Sequence, residues 1–197
     1  MKSAGAIVAV LVIIVVIIAI AFGGSYITHR NQMVTLNEDV KGKWAAVETD
    51  LQRRADVIPN LVETVKGYAA QEQTVFSDVD KARTQYMNAQ SPADKIATSN
   101  ALYGAEVKVL ALQENYPQLK SNENFLRLQD EIAGTENRIA VSRKRYNDSI
   151  QAYNTYIGRF PGSLFAGWAG FHRNDAYFQA APASQEAPKV AFPGPSR

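Results

Sequence analysis

The first apolar segment of the chain is continuous rather than periodic. From Ala4 to Phe22 the sequence reads AGAIVAVLVIIVVIIAIAF, and no charged residue occurs between Lys2 and Arg30. A helix rises about 1.5 Å per residue, so about 20 residues cross the hydrocarbon core of a bilayer, which is roughly 30 Å thick. The length and composition therefore predict a transmembrane helix in an N-terminal anchor, residues 1–30.

A cleaved signal peptide is the alternative interpretation of this segment. Lys2 would be its basic region, and Ala19-Ile20-Ala21 would be a small-residue cleavage site. The apolar region of a signal peptide is usually about 7–15 residues long, and this one is longer. The length favours an uncleaved anchor.

The membrane orientation depends on few charges. Lys2 precedes the span, and three basic residues follow it closely: Arg30, Lys41 and Lys43. This excess leans towards a cytoplasmic C-terminal domain, because basic residues accumulate on the cytoplasmic side. A very short basic N-terminus also suits a signal anchor that sends the domain to the periplasmic, extracytoplasmic side. Both orientations stay open.

Beyond the span, apolar residues recur three and four positions apart, which is typical of amphipathic helices. The first such stripe covers Val40–Tyr86 and is interrupted at Arg54 and Glu72. Pro59 lies inside the stripe and has no backbone donor. We therefore expect either a kink in the preceding turn or a break that restarts the helix at Ile58.

Two further helices have recognisable boundaries. Ser91-Pro92-Ala93-Asp94 combines an N-cap serine, a proline at the first helical position and an acidic residue three positions after the cap. This second helix must end before Pro117. A third opens near Ser121 or Asn122 and ends at Pro161. The pattern predicts an all-α fold, in which the transmembrane helix is followed by an antiparallel, coiled-coil-like bundle of three long helices over residues 31–160.

The last forty residues change in character. Residues 161–179 mix aromatic residues with glycine, which predicts either a short fourth helix that caps the bundle or a segment at the membrane interface. Trp168 and Phe171 are the candidate interface residues, because such rings suit that layer. Residues 180–197 contain four prolines in eighteen positions, and we expect this tail to be disordered.

The composition offers little for catalysis. The chain has no cysteine, which excludes a disulfide scaffold, a thiolate zinc site and a cysteine nucleophile. Its two histidines, His29 and His172, are far apart, and phosphate-binding, dinucleotide-binding and nucleophile-elbow motifs are absent from the sequence. A net charge of +2 is too small to suggest nucleic-acid binding. We expect no enzyme, cofactor, metal or small-molecule substrate.

The densest polar cluster lies on the first helical stripe. Asp56, Asn60 and Glu63 share one helical face near Arg53. The simpler interpretation is a hydrated face with charge pairs three and four residues apart. The alternative is a pair of carboxylates for acid–base chemistry.

Arg54 differs from this cluster because it occupies a position of the apolar stripe. A charge there usually pairs with a carboxylate or amide on the facing helix. The natural candidates in the sequence are Glu131, Glu136 and Asn137. The functional alternative is that Arg54 binds a carboxylate of a partner or a lipid phosphate.

Several of these segments resemble the LemA family of bacterial membrane proteins, which includes the magnetosome protein MamQ. The similar segments include LQRRADVIPNLVETVKGY at residues 51–68, ENYP at residues 114–117 and TENRI at residues 135–139. Trp44 and the Tyr-Asn pairs at residues 146–147 and 153–154 are similar too. The resemblance extends from the membrane span to about Phe178.

The resemblance implies a single span in the bacterial inner membrane, followed by a long-helix bundle, and no catalytic residues transfer with it. Family associations with internal-membrane formation and with TPM-domain membrane proteins imply an anchored scaffold, without catalysis. Such a scaffold would lie in the lipid bilayer and would form a homo-oligomer or bind a TPM-domain or other membrane protein. The alternative is a membrane-tethered hydrolase-like accessory enzyme or a lipid-binding module that uses the face near Asp56 and Glu63. The candidate interaction residues are Arg53, Arg54, Asp56, Asn60, Glu63, Glu136 and Asn137.

Overall fold

The computed structural model describes residues 2–179, and the side chains of residue 7 and of residues 9–179. Within that range the chain forms helices and connecting segments, as the sequence predicts. The helices are α1 (Lys2–Lys66), α2 (Gln73–Asn88), α3 (Pro92–Ala111), α4 (Glu123–Gly158) and α5 (Gly162–Ala169), with two short 3-10 helices at Leu112–Glu114 and Pro117–Ser121. The predicted disordered tail, residues 180–197, lies outside the described residues.

Helix α1 contains the apolar segment and continues without a break into the amphipathic stripe. An 18-residue window near its start has a mean hydropathy of 2.8, and none of that window is buried within the protein. By length and composition, this part of α1 is able to cross a membrane. The all-α prediction and the candidate transmembrane helix are confirmed.

Of the two outcomes expected at Pro59, the break is wrong, because α1 runs through this residue to Lys66. The kink stays a prediction. A proline inside a helix removes one backbone hydrogen bond. Ile58 and Leu61 on either side are fully buried, and the burial of one such side chain contributes about 1.5–3 kcal/mol. Packing of the flanking side chains is therefore sufficient to offset the lost bond.

The stripe from Val40 to Tyr86 is also not one helix. The carbonyl of Val65 accepts hydrogen bonds from the backbone N–H groups of both Tyr68 and Ala69, at 2.9 Å each. Gly67 lies at this end, and glycine is a poor helix former. The chain turns over residues 67–72 and α2 begins at Gln73, so the interruption at Glu72 marks a helix boundary.

The predicted helix starts agree with the structure. The Ser91 hydroxyl accepts a hydrogen bond from the Asp94 N–H at 3.1 Å, as an N-cap does. The side chain of Asn122 accepts one from the Phe125 N–H at 2.8 Å at the start of α4. Helix α3 ends before Pro117, as expected.

The chain divides into two compact units. Within the described residues, the first, which we call the anchor unit, comprises residues 2–50 and 137–175; the second, the Arg54 unit, comprises residues 51–136 and 176–179. Helices α1 and α4 each contribute a part to both units. The domain boundaries expected from the sequence, at residues 30, 160 and 179, stay predictions.

Each unit has its own apolar core. In the anchor unit the buried side chains come from α1, α4 and α5, and include Met33, Val40, Val47, Ile139, Tyr146, Ile150, Tyr153, Ile157 and Phe165. In the Arg54 unit they come from four helices, and include Leu51, Ile58, Leu61, Val65, Phe76, Val79, Leu102, Val109, Phe125 and Leu128. The spacing of three and four residues in both sets is what turns one face of each helix inward.

Candidate functional site

The cluster that the sequence singles out on α1 forms an exposed polar face, comprising Arg53, Asp56, Asn60 and Glu63. Asp56 accepts a hydrogen bond from the Gln52 amide at 2.8 Å. The carboxylate of Glu63 accepts one from the Lys66 ammonium at 3.0 Å. Each carboxylate is thus paired along its own helix, at the i,i+3 or i,i+4 spacing that the hydrated-face interpretation uses.

Glu136 and Asn137, the two candidate interaction residues on α4, lie in different units of the structure. Glu136 is partly buried in the Arg54 unit, whereas Asn137 is exposed in the anchor unit. Asn137 lines a shallow groove there with Lys43, Arg138 and Arg145. The structure therefore places Glu136 beside Arg54 and leaves Asn137 to a different surface.

Arg54 is the largest polar side chain in the core, with 2% of its surface exposed. Its guanidinium forms an ion pair with Glu136, one of the partners expected from the sequence. A second carboxylate, Glu106, lies 3.5 Å from Arg54 Nε. The guanidinium also lies over the Tyr103 ring, 5.0 Å from its centroid. We call Arg54, Glu106 and Glu136 the ion-pair centre.

Glu106 is the member of this centre that sequence analysis missed. It is 1% exposed. Burial raises the pKa of its carboxyl, and the charge of Arg54 opposes that rise only in part. Within the ion-pair centre one guanidinium thus faces two carboxylates, and the environment of Glu106 favours its neutral form more than water does. Glu106 follows the buried Leu102 by four positions, so a charge in the apolar stripe of α3 was the available signal.

A cluster of aromatic rings joins α5 to the end of the apolar segment in the anchor unit. The Phe165 ring lies 5.4 Å from Phe22, 5.9 Å from Tyr26 and 5.2 Å from the stacked ring of His29, measured between centroids. The Trp168 ring lies 5.8 Å from Phe22 and is 65% exposed. The aromatic segment thus forms the short helix that was one of its two expected states.

Two glycines allow α5 to form where it does. Gly162 at its start approaches Tyr156 so closely that an added Cβ would lie 2.3 Å from the Tyr156 carbonyl oxygen. Gly170 follows the last helical residue with φ of 75°, the left-handed conformation that glycine adopts at low cost. Phe171 comes next and is half-buried, so of the two predicted interface residues Trp168 is the more exposed.

The segment after α5 is held to α4 by side-chain hydrogen bonds. The Tyr153 hydroxyl donates to the His172 carbonyl at 2.8 Å. Asn154 forms a two-way contact with Asn174, since its amide donates to the carbonyl at 2.7 Å and its oxygen accepts from the backbone N–H at 2.9 Å. These bonds fix the extended chain against α4 within the anchor unit.

Within the described residues, no group of three or more His, Cys, Asp or Glu side chains is arranged to hold a metal ion. The side chains described above form an exposed polar face on α1, a buried ion-pair centre and an aromatic cluster. Together with the apolar start of α1, these features define a membrane-associated helical protein.

Comparison with known proteins identifies the family more specifically than the fold does. Residues 43–192 match the model of the LemA family, and the chain belongs to that family. The family resemblance is confirmed, but the match begins after the apolar segment and extends past Phe178 into the proline-rich tail. One relative, magnetosome protein MamQ 2 of Paramagnetospirillum magneticum, is 29% identical over 190 residues, covering 83% of this chain and 70% of the relative. Protein LemA of Metamycoplasma hominis is 24% identical over 160 residues, covering 79% and 71%.

Proposed function

We propose that the protein is a single-pass, membrane-anchored helical scaffold that acts by associating with itself or with another membrane protein, without catalysis of its own. The observation that carries this proposal is the continuity of α1, in which the apolar segment and the first bundle helix are one helix, Lys2–Lys66. A flexible linker of the kind that tethers an independent soluble domain is absent between residues 2 and 66. The helical domain therefore begins directly where the apolar segment ends.

Membrane anchoring makes weak contacts sufficient for assembly. Proteins confined to one surface meet at a high effective concentration, so association needs little affinity per contact. The polar face is the proposed contact surface, because Arg53, Asp56, Asn60 and Glu63 are exposed. Its one positive and two negative side chains suit a complementary face on a second copy or on a membrane protein partner, a TPM-domain protein being one candidate.

The proposed location is the bacterial inner membrane, with a cytoplasmic helical domain as the first choice of orientation. The basic residues that follow the span support that side. The absence of cysteine from the sequence makes the orientation easy to test. Glu63→Cys should react with a membrane-impermeant maleimide only after the cells are lysed. Labelling in intact spheroplasts would place the domain outside.

Association can be tested in native membranes with the same approach. Asn60→Cys or Glu63→Cys, labelled with a benzophenone maleimide and illuminated, should form covalent adducts. An adduct with twice the mass of the chain indicates self-association, and an adduct of another discrete mass identifies a partner. The matched control is Lys81→Cys, on the exposed side of α2, which should give neither.

Two results would contradict the scaffold proposal. One is the absence of any adduct from both positions of the polar face, although labelling is complete. The other is adduct formation by Lys81→Cys at the same yield, which would indicate random collision. Asp56→Asn and Glu63→Gln should leave the fold unchanged and reduce adduct formation only if these charges contribute to the contact.

A further inference from the structure

A cleft of about 690 Å³ lies beside the aromatic cluster of the anchor unit. Helix α1 contributes His29, Gln32 and Leu36 to its lining, and the remaining residues come from α4 and the turn that follows it. The Tyr156 hydroxyl lies 2.6 Å from His29 Nδ1, so a short hydrogen bond fixes this ring at the wall of the cleft. Among the described residues, the other ring nitrogen, Nε2, forms no hydrogen bond.

Of the charged side chains that line the cleft, the acidic one has an ion-pair partner and the basic one has none within residues 2–179. Asp148, at its lining, pairs with the Lys144 ammonium at 2.6 Å. Arg159 also lines the cleft, and within residues 2–179 it has no carboxylate at ion-pair distance. The neutral hydrogen-bonding groups of the lining are Gln32, Gln151 and Thr155. One unpaired guanidinium, an imidazole and several neutral donors favour an anion, and a guanidinium suits a phosphate in particular.

The position of the cleft along α1 indicates where that anion comes from. Ile27 and Phe22 are the last apolar residues of the span, and His29 follows them by two and seven positions. At about 1.5 Å per residue, His29 lies about 3–10 Å beyond the hydrocarbon core, depending on which of the two residues marks its edge. The headgroup region on each side of a bilayer is about 5–7 Å thick. With Ile27 at the edge of the core, the cleft opens at the level of the lipid phosphates; with Phe22 at the edge, it opens just outside that layer.

Exposed apolar side chains lie in the cleft lining and on the adjoining helix α5. Phe160 lines the cleft and is 84% exposed. Leu164 and Trp168 are exposed on α5, and Trp168 contacts Phe22 of the span. Large apolar groups at the edge of a span are suited to the membrane interface, where acyl chains begin.

We propose that this cleft binds the headgroup of an anionic membrane phospholipid, with Arg159 and His29 contacting the phosphate and the exposed side of α5 contacting the acyl chains. The proposal rests on the membrane anchoring described above, but it does not require self-association. A protein that fails to form adducts through its polar face can still bind lipid in this cleft, so the two proposals fail separately.

The test uses the full chain in mixed micelles of phosphatidylglycerol and phosphatidylcholine. Native mass spectrometry should detect one retained phosphatidylglycerol in preference to phosphatidylcholine. Arg159→Gln should weaken phosphatidylglycerol binding about tenfold, since it removes a charged hydrogen bond, and His29→Gln should weaken it less. The matched control is Arg30→Gln, which removes an exposed positive charge next to His29 from outside the cleft lining. It should leave retention unchanged.

Three results would overturn the proposal. Equal retention of the two lipids would show that the site does not recognise a negative headgroup. An equal loss in Arg30→Gln and Arg159→Gln would assign the preference to general surface charge. Displacement of the lipid by millimolar inorganic phosphate would identify a soluble anion as the ligand. Circular dichroism of each variant, expected to match the wild type, ensures that lost binding does not reflect unfolding.

Discussion

The anchor unit and the Arg54 unit are both built on α1 and α4, but the specific contacts in their cores differ in chemistry. In the anchor unit, ring contacts centred on Phe165 connect α5 to α1. In the Arg54 unit, a buried guanidinium meets two carboxylates from α3 and α4. One set of contacts is apolar and tolerant of small shifts, whereas the other requires specific partners.

This difference in core chemistry determines how much stability each unit loses when one side chain is substituted. When an aromatic side chain is truncated, the free energy of unfolding falls in proportion to the packing contacts that are removed. A buried ion pair contributes little net stability compared with an apolar core, but removing one partner leaves an uncompensated charge. The Arg54 unit should therefore be the more sensitive of the two to a single substitution, and four predictions test this comparison in order of expected effect.

The largest effect is expected from Arg54→Ala, which leaves Glu106 and Glu136 without their cation. We expect the free energy of unfolding to fall by about 3–5 kcal/mol. Chemical unfolding of the detergent-solubilised chain, followed by circular dichroism, measures it. Arg53→Ala, at the exposed neighbouring position, should change the value by less than about 0.5 kcal/mol. Equal effects of the two substitutions would show that the ion-pair centre is not special.

Phe165→Ala is the matching test in the anchor unit. The side chain is 3% exposed, and its removal should cost about 3 kcal/mol in the same unfolding measurement. Phe160→Ala serves as the control, because this ring is almost fully exposed and contributes little to the core. A loss larger than that of Arg54→Ala would reverse the proposed order of sensitivity.

The third prediction concerns pH. Because burial raises the pKa of Glu106 in the folded state, the folded chain holds this proton more tightly than the unfolded chain does. The contribution of Glu106 to stability is therefore fully present below the ordinary carboxyl pKa and is lost as pH rises through the raised value. Glu106→Gln should remove this component, so the variant should gain stability relative to wild type as pH rises.

Thermal unfolding between about pH 4 and about pH 8 would measure this difference. This range includes both the ordinary and the raised pKa values of carboxyl groups. Glu63→Gln is the control, since it changes an exposed carboxylate. Its profile should follow that of the wild type. Parallel profiles for Glu106→Gln and wild type would mean that Glu106 stays ionised in the core.

The smallest effect is expected at a helix start. Ser91→Ala removes the N-cap of α3, which should cost about 1 kcal/mol. Helix α5 begins without a side-chain cap, so Ser163→Ala in its first turn should change stability by less than about 0.5 kcal/mol. A comparable loss at both serines would contradict the assignment of Ser91 as the cap.

Sequence patterns predicted the features that depend on neighbouring residues. The Ser91 cap, the opening of α4 at Asn122 and the end of α3 before Pro117 follow from side chains within a few positions of one another. At Pro59 the local rule allowed a kink or a break, and the buried neighbours Ile58 and Leu61 are consistent with the helix continuing without a break. The turn after Lys66 was missed, since the apolar stripe continues into α2 with compatible spacing.

The sequence by itself determined that this is a helical protein of the LemA family with an apolar segment able to span a membrane, because period, length and family motifs are properties of the chain. The tertiary structure decided that Glu106 meets Arg54, that Phe165 packs against the end of the span, and that Arg159 and His29 line one cleft. These pairs lie between 52 and 143 positions apart. Their contact depends on the register in which helices pack, and periodicity specifies the buried face of a helix but not the residue that faces it.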